Sequence, residues 1–217
     1  MVSKPVFKDL IPTDSQQFDA FFEIYSQSIE KSEQKPKDKI QAICHRKDYL
    51  IRLLYSESSV AGFTLSYVNA SKRFALLEYM AVHQSKRSHG FGSELLKDLT
   101  TSLFEKQIEW LVLEVDSPYQ NSKDKDSRVR RVNFYKKNSC REVESFDYIL
   151  PLPQAPADLG MKLMLYDLRG RDSDSVSTVK LREMVQEMYV VVYGCEAEDA
   201  RLEKMFSNLP KSLNLKK

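Results

Sequence analysis

The stretch LEYMAVHQSKRSHGFGSELLKDL, residues 77–99, decides how the chain is read. Its first third is an apolar run suited to a strand. Its middle is basic and broken by Gly90 and Gly92. Its last third returns apolar residues at helical spacing. A strand, a tight turn and a helix therefore follow one another without a linker. Glycine tolerates backbone angles that other residues avoid and lets a ligand approach the main chain. A helix beginning at Gly90 presents unpaired N–H groups to the turn, and such a turn suits a phosphate or pyrophosphate. Lys86, Arg87 and His89 add positive charge. The pattern lacks the Gly-Lys-Ser/Thr of a P-loop and the third glycine of a dinucleotide fingerprint. On spacing alone, an anion site and a plain tight turn with solvated charges stay equally open.

Outward from this turn, the chain alternates strands and helices. PVFKDLI (5–11) is expected as a short first strand. Phe18, Phe21, Phe22 and Tyr25 recur at helical spacing within 14–29, with Asp14 or Ser15 as the cap. A second helix is expected over 35–46, with Pro36 near its start. Strands are expected over 48–56, 60–69 and 73–82, separated by short polar turns and so antiparallel neighbours. The helix from Gly90 runs to about Phe104, and QIEWLVLEVD (107–116) is the next strand. Strand, crossover helix and strand imply parallel pairing of 73–82 with 107–116. A polar loop (117–127), a helix (128–138) and strands over 142–150 and 160–168 follow, the last two joined by a Pro-rich segment. Beyond a polar break at 170–178, two helices are expected over 177–194 and 196–210. The division expected is 1–169 as the main domain and 170–217 as a helical extension. The extension packs on the core or on a second subunit.

Composition narrows the function. Apolar residues make up 42% of the 217, enough for a core, and the formal net charge of +2 does not point to nucleic acid or an anionic membrane. Cys44, Cys140 and Cys195 are too few and too widely spaced for a metal site or disulfide framework, so a reducing, cytoplasmic setting is expected. No stretch is long and apolar enough for a signal peptide or membrane span. His45, His83 and His89 have no metal-ligand spacing. Trp110, Met184, Met188 and Tyr189 read as packing residues.

Two short motifs together resemble the GNAT N-acetyltransferase family. VHQSKRSHGFG (82–92) is similar to its acetyl-coenzyme A signature, Arg/Gln-x-x-Gly-x-Gly/Ala, through Arg87, Gly90 and Gly92; Gln84 stands where proline is common. NFYKKN (133–138) resembles the family's Phe-Tyr-x-x-x-Gly-Phe segment, with Ser139 and Cys140 in place of Gly-Phe. RRVNFY (130–135), YILP (148–151) and MKLMLY (161–166) are similar to a bacterial subset carrying RRxxFY. The resemblance spans residues 5–168.

It implies an α/β fold with a mixed, mostly antiparallel sheet and a central splayed parallel pair, plus C-terminal helices. It implies acetyl-coenzyme A as acyl donor, with no metal, and acyl transfer to a primary amine of a small molecule or peptide. The pantetheine arm would meet Met80, Ala81 and Val82. The pyrophosphate would meet Arg87, Ser88, His89, Gly90, Phe91, Gly92 and Ser93, and the cofactor contacts extend to Asn133 and Tyr135. A strand N–H near Val82 would polarise the thioester carbonyl.

Glu78 interrupts an apolar strand, and a partly buried carboxylate has the raised pKa that suits a general base. Glu114, with Asp116 behind it, is the second candidate. Both also fit as ordinary strand carboxylates. Tyr135 is the implied general acid. Arg128, Arg130 and Arg131 read either as a contact for the 3′-phosphate or an acidic substrate group, or as a solvated helix face. The loop 117–127 borders the substrate entrance or is plain surface. The rivals are a non-catalytic acyl-coenzyme A binding or sensing protein, and an interaction protein acting through its tail. That tail would otherwise form a homodimer or close over the acceptor pocket.

Overall fold

A computed structural model describes residues 4–118, 124–152, 160–171 and 173–217. The chain forms two compact units, residues 1–69 with 77–107, and residues 70–76 with 108–217. Among the described residues, nine strands follow the order β1-β2-β3-β4-β5-β7-β6-β9-β8. Neighbours run antiparallel except β4 (Phe74–Val82) and β5 (Trp110–Asp116), which run parallel.

In the first unit, β1 (Val6–Asp9), β2 (Tyr49–Ser56) and β3 (Ser59–Asn69) form an antiparallel series with register Leu53↔Phe63 and Ile51↔Leu65. Side chains alternate between faces along a strand. One face of this series, with Ile51, Leu53, Phe63 and Leu65, packs against α1 (Ser15–Ser28) and α2 (Lys37–Cys44) through Phe18, Phe21, Ile24, Tyr25, Ile40 and Ile43. The other face, with Leu54 and Ala61, packs against Phe91 and Leu95 of α3 (Phe91–Glu105). Asp14 caps α1 by accepting a hydrogen bond from the Gln17 N–H at 3.1 Å. Arg52, on β2, donates twice to Asp98 of α3, at 2.8 and 2.9 Å, and once to Asp9 at 2.7 Å. Gly62 is a close-approach position: a Cβ there would lie 2.8 Å from the Ala81 carbonyl oxygen and 3.0 Å from Leu95 Cδ1.

In the second unit, β5 pairs with β7 (Met161–Asp167) from Trp110↔Asp167 to Asp116↔Met161. α4 (Lys125–Lys137) starts three residues earlier than the sequence pattern suggests. It ends in a Schellman motif: Cys140 N–H donates to Tyr135 O at 3.0 Å and Ser139 N–H to Lys136 O at 3.1 Å. Ser139 holds φ = 67° there, which explains why the resembling motif has glycine at this place.

Three expectations are corrected. The strand expected over 142–150 is only β6 (Arg141–Val143); past it the chain leaves the ladder and returns as a single bridge, Tyr148↔Met161. The extension is not wholly helical. β8 (Ser175–Ser177) and β9 (Ser212–Lys216) pair antiparallel, and β9 also pairs with β6. The helices between are shorter than expected: α5 (Thr178–Glu187), continued by a widened π-type turn over 188–192, and α6 (Ala200–Phe206). Leu181, Met184, Met188, Tyr189, Leu202, Leu213 and Leu215 are buried. Trp110 is buried as well, with the Arg169 guanidinium 4.5 Å from its ring centre. Part of the loop expected over 117–127 and most of the Pro-rich join lie outside the described residues.

Candidate active site

The turn after β4 is built to leave donors free. His83 N–H is tied back to Ala61 O at 2.8 Å, and a single 3-10 turn, Gln84–Lys86, follows. Ser88 (φ = 66°) and Gly90 (φ = 81°) then take left-handed conformations on either side of His89. Alternating conformations of this kind turn successive N–H groups to one side. Gly90 caps α3: its carbonyl accepts from Ser93 N–H at 3.0 Å and Glu94 N–H at 3.2 Å. The backbone N–H groups of residues 88–92 make no hydrogen bond among the described residues. Residues 88, 89 and 90 are exposed. Five free donors at a helix N-terminus fit the diphosphate of a coenzyme A thioester.

The basic side chains of the turn have partners within the chain. Lys86 Nζ pairs with Glu57 Oε2 at 2.5 Å. This pairing holds the exposed Glu57 carboxyl below its ordinary range. Arg87 folds back, donating from Nε to Val82 O at 3.2 Å and from Nη2 to Ser28 Oγ at 3.4 Å. It locks the end of β4 to the end of α1. His89 Nδ1 lies 2.7 Å from Arg87 O, which steadies the turn. The free groups of the turn are thus main-chain donors, while Lys86, Arg87 and His89 have partners within the chain.

Glu78 sits on β4 four residues before Val82, and its side chain is 4% exposed. Its Oε2 accepts from Lys35 Nζ, and its buried Oε1 makes no close hydrogen bond. Burial and the neighbouring Glu78 charge push the Tyr49 phenol far above its ordinary pKa. Lys35 belongs to the loop between α1 and α2. The loop is anchored: Lys35 N–H donates to Tyr25 Oη at 2.6 Å, Tyr79 Oη to Glu33 O at 2.9 Å, and Gln34 Nε2 to Ser26 O and Ile29 O at 2.9 and 2.7 Å. The Lys35 ammonium also lies 5.1 Å from the Tyr79 ring centre. Nothing in the sequence ties Lys35 to Glu78, 43 residues on; only the loop's path does. Met80 and Val82 are half-buried and Ala81 is buried, its carbonyl facing the missing Cβ of Gly62.

In the second unit, Glu114 on β5 receives two phenols. Tyr148 Oη donates to Oε1, and Tyr193 Oη to Oε2 at 2.5 Å. Tyr148 is 3% exposed, and burial, then the Glu114 charge, raises its pKa well above the ordinary value. Tyr193 follows the widened turn, its N–H bonded to Met188 O five residues back. An ordinary helical reading of 177–194 would aim this side chain elsewhere. Tyr148 lies within the YILP motif; Tyr193 had no sequence signal. Asp116 accepts from Arg131 at 3.2 Å, while Arg130 is exposed and Arg128 Nη1 is buried.

Tyr135, on α4, is half-buried. Burial pushes its phenol up to about 12, against the pull of Arg131. It is therefore protonated and able to donate at neutral pH. Asn133 is exposed on the same helix. Among the described residues, no group of three His, Cys, Asp or Glu side chains is placed to hold a metal. No helix among them is long and apolar enough to cross a membrane.

Comparison with known proteins follows the same lines. The family model for the acetyltransferase (GNAT) family matches residues 18–137, more than half of the chain. No curated protein matches the sequence. Among solved structures, a protein from Bacteroides thetaiotaomicron described as an acetyltransferase of the GNAT family superposes with a TM-score of 0.70. It is 21% identical, over 88% of this chain and 99% of that one. The ribosomal-protein-S18-alanine N-acetyltransferase of Escherichia coli gives 0.57 at 17% identity, over 76% and 94%. The aminoglycoside 6′-N-acetyltransferase of Enterococcus faecium gives 0.58 at 12%, over 75% and 97%. At these identities the superpositions establish the fold, and the family match establishes more: the chain belongs to the GNAT acetyltransferase family, acyltransferases that take the acetyl group from acetyl-coenzyme A.

Proposed function

We propose that this acetyltransferase acts on a primary amine, with Glu78 as general base. The observation that carries the reading is the Lys35–Glu78 contact. The carboxylate is almost fully buried and already holds a primary ammonium group. An acceptor amine arriving as a cation meets the same chemistry by displacing Lys35.

Acetyl-coenzyme A supplies the activated acyl group, and this chain's residues do the rest. The N–H groups of residues 88–92 hold the diphosphate, with Arg87 and His89 fixing the loop's shape. Residues 80–82 guide the pantetheine along β4. Glu78 takes a proton from the ammonium and leaves a nucleophilic nitrogen. Tyr135 donates a proton to the departing thiolate. Most of the acceleration comes from holding amine and thioester together, with the base already in place. Glu114, gripped by Tyr148 and Tyr193, is a poorer base because both of its oxygens already accept hydrogen bonds.

The test is release of free thiol from acetyl-coenzyme A across a panel of small-molecule and peptide amines, beside calorimetric titration of the thioester. Binding with turnover of at least one amine supports the reading. A second reading, a non-catalytic acyl-coenzyme A sensor, is favoured by the internal partners of both carboxylates, Lys35 on Glu78 and two tyrosines on Glu114. Binding without turnover of any amine would favour it.

A further inference from the structure

We propose that Lys35 is itself an acetyl acceptor, a self-acylation site built into the loop between α1 and α2. The inference rests on the function proposed above, with Glu78 as the base. Lys35 Nζ occupies the place an acceptor nitrogen must take, on the buried carboxylate of β4. It is not there by chance of a long side chain. Its own N–H is bonded to Tyr25 Oη at 2.6 Å, and Glu33 and Gln34 beside it are pinned by the three bonds to Tyr79, Ser26 and Ile29. The Tyr79 ring covers the ammonium from one side. The side chain nevertheless stays 27% exposed, so the nitrogen is not sealed from an incoming acyl group. Other ion-paired lysines of this unit differ. Lys37 and Lys86 meet Asp19 and Glu57, carboxylates that are 66% and 61% exposed and poorly placed to lower a barrier.

The step balances simply. The Lys35 ammonium gives one proton to Glu78. Its nitrogen then forms a C–N bond to the thioester carbonyl carbon as the C–S bond breaks. The second nitrogen proton ends on the departing sulfur, so the products are an amide at Lys35 and free coenzyme A thiol. Held against the β4 carboxylate by its anchored loop, the Lys35 amine meets the base at an effective concentration that no free lysine reaches.

The test incubates the full chain with acetyl-coenzyme A alone and maps acetyl groups by peptide mass spectrometry over time. The expected result is early acetylation at Lys35, with a half-time unchanged over a tenfold range of protein concentration. Glu78→Gln should slow it at least tenfold, and Lys35→Arg should remove the first equivalent of thiol released while leaving coenzyme A affinity within threefold. Three results overturn the inference: Lys35 unmodified while an external amine turns over, a half-time that scales with protein concentration, or an unchanged rate in Glu78→Gln. The first leaves the acetyltransferase reading standing. Absence of calorimetric binding overturns both, and so marks the failure of the underlying reading. Mapping in the unaltered chain needs no variant to fold.

Discussion

The Lys35–Glu78 pair makes a stability prediction as well as a chemical one. Removing one partner of a buried pair leaves the other charge without compensation. Lys35→Met should therefore lower stability by roughly 1–3 kcal/mol in denaturant titration. Lys35→Met with Glu78→Leu should recover most of that loss, because no charge is left buried. In turnover assays, Glu78→Gln should reduce kcat by about 10² or more, since it removes the proton acceptor. Ser139 gives a cleaner backbone test. It holds a left-handed φ of 67° at the end of α4, so Ser139→Gly should raise stability by about 0.5–1 kcal/mol. The sequence pointed to this position by its departure from the motif's glycine. It pointed to Glu78 by its interruption of an apolar strand. It was silent on Lys35, which no periodicity or motif marks.

At the scale of elements, β9 carries the sharpest expectation. It pairs with β6 on one side and β8 on the other, and it buries Leu213 and Leu215. Deleting residues 212–217 removes two buried leucines, whose burial contributes roughly 1.5–3 kcal/mol each, and strips β6 of a partner. The denaturation midpoint should fall well below that of the full chain, where a merely appended tail would leave it unchanged. The same deletion leaves the turn at 88–92 intact. The long amphipathic helices and apolar strands were legible because their periods repeat over several turns. β8 and β9 were not, because three to five residues with mixed polarity carry too little pattern. Their strand character comes from the partner each one finds. Glu114 shows the same dependence: its position on β5 was legible, but Tyr193 reaches it only through the widened turn after α5.

For the whole molecule, alkaline pH is the informative variable. Burial raises the Cys140 thiol from 9.0 to about 12 and the Tyr135 phenol from 10.0 to about 12. Above pH 9 the unfolded chain releases these protons while the native chain keeps them. Folding stability is therefore full below about pH 9 and falls as pH rises toward 12. Urea midpoints should be flat from neutrality to about pH 8.5 and decline beyond it. Tyr135→Phe should lessen the decline above pH 10 without abolishing it, because the buried phenols of Tyr49 and Tyr148 are raised as well. A midpoint that stays constant to pH 11 would contradict the burial of both groups.

The sequence by itself determined the strand–turn–helix of residues 77–99, the order of most elements and the family, because each rests on local spacing and on short motifs contiguous in the chain. On spacing it left the glycine turn open between an anion site and a plain tight turn, and only the family resemblance favoured the first. The tertiary structure alone decided which atoms of that turn are free: Lys86 and Arg87 meet Glu57 and the Val82 carbonyl, while the main-chain N–H groups of residues 88–92 make no hydrogen bond among the described residues. It alone brought Lys35 to Glu78 and two tyrosines to Glu114. Contacts between residues dozens apart are set by how loops cross a packed sheet, and no local pattern encodes that path.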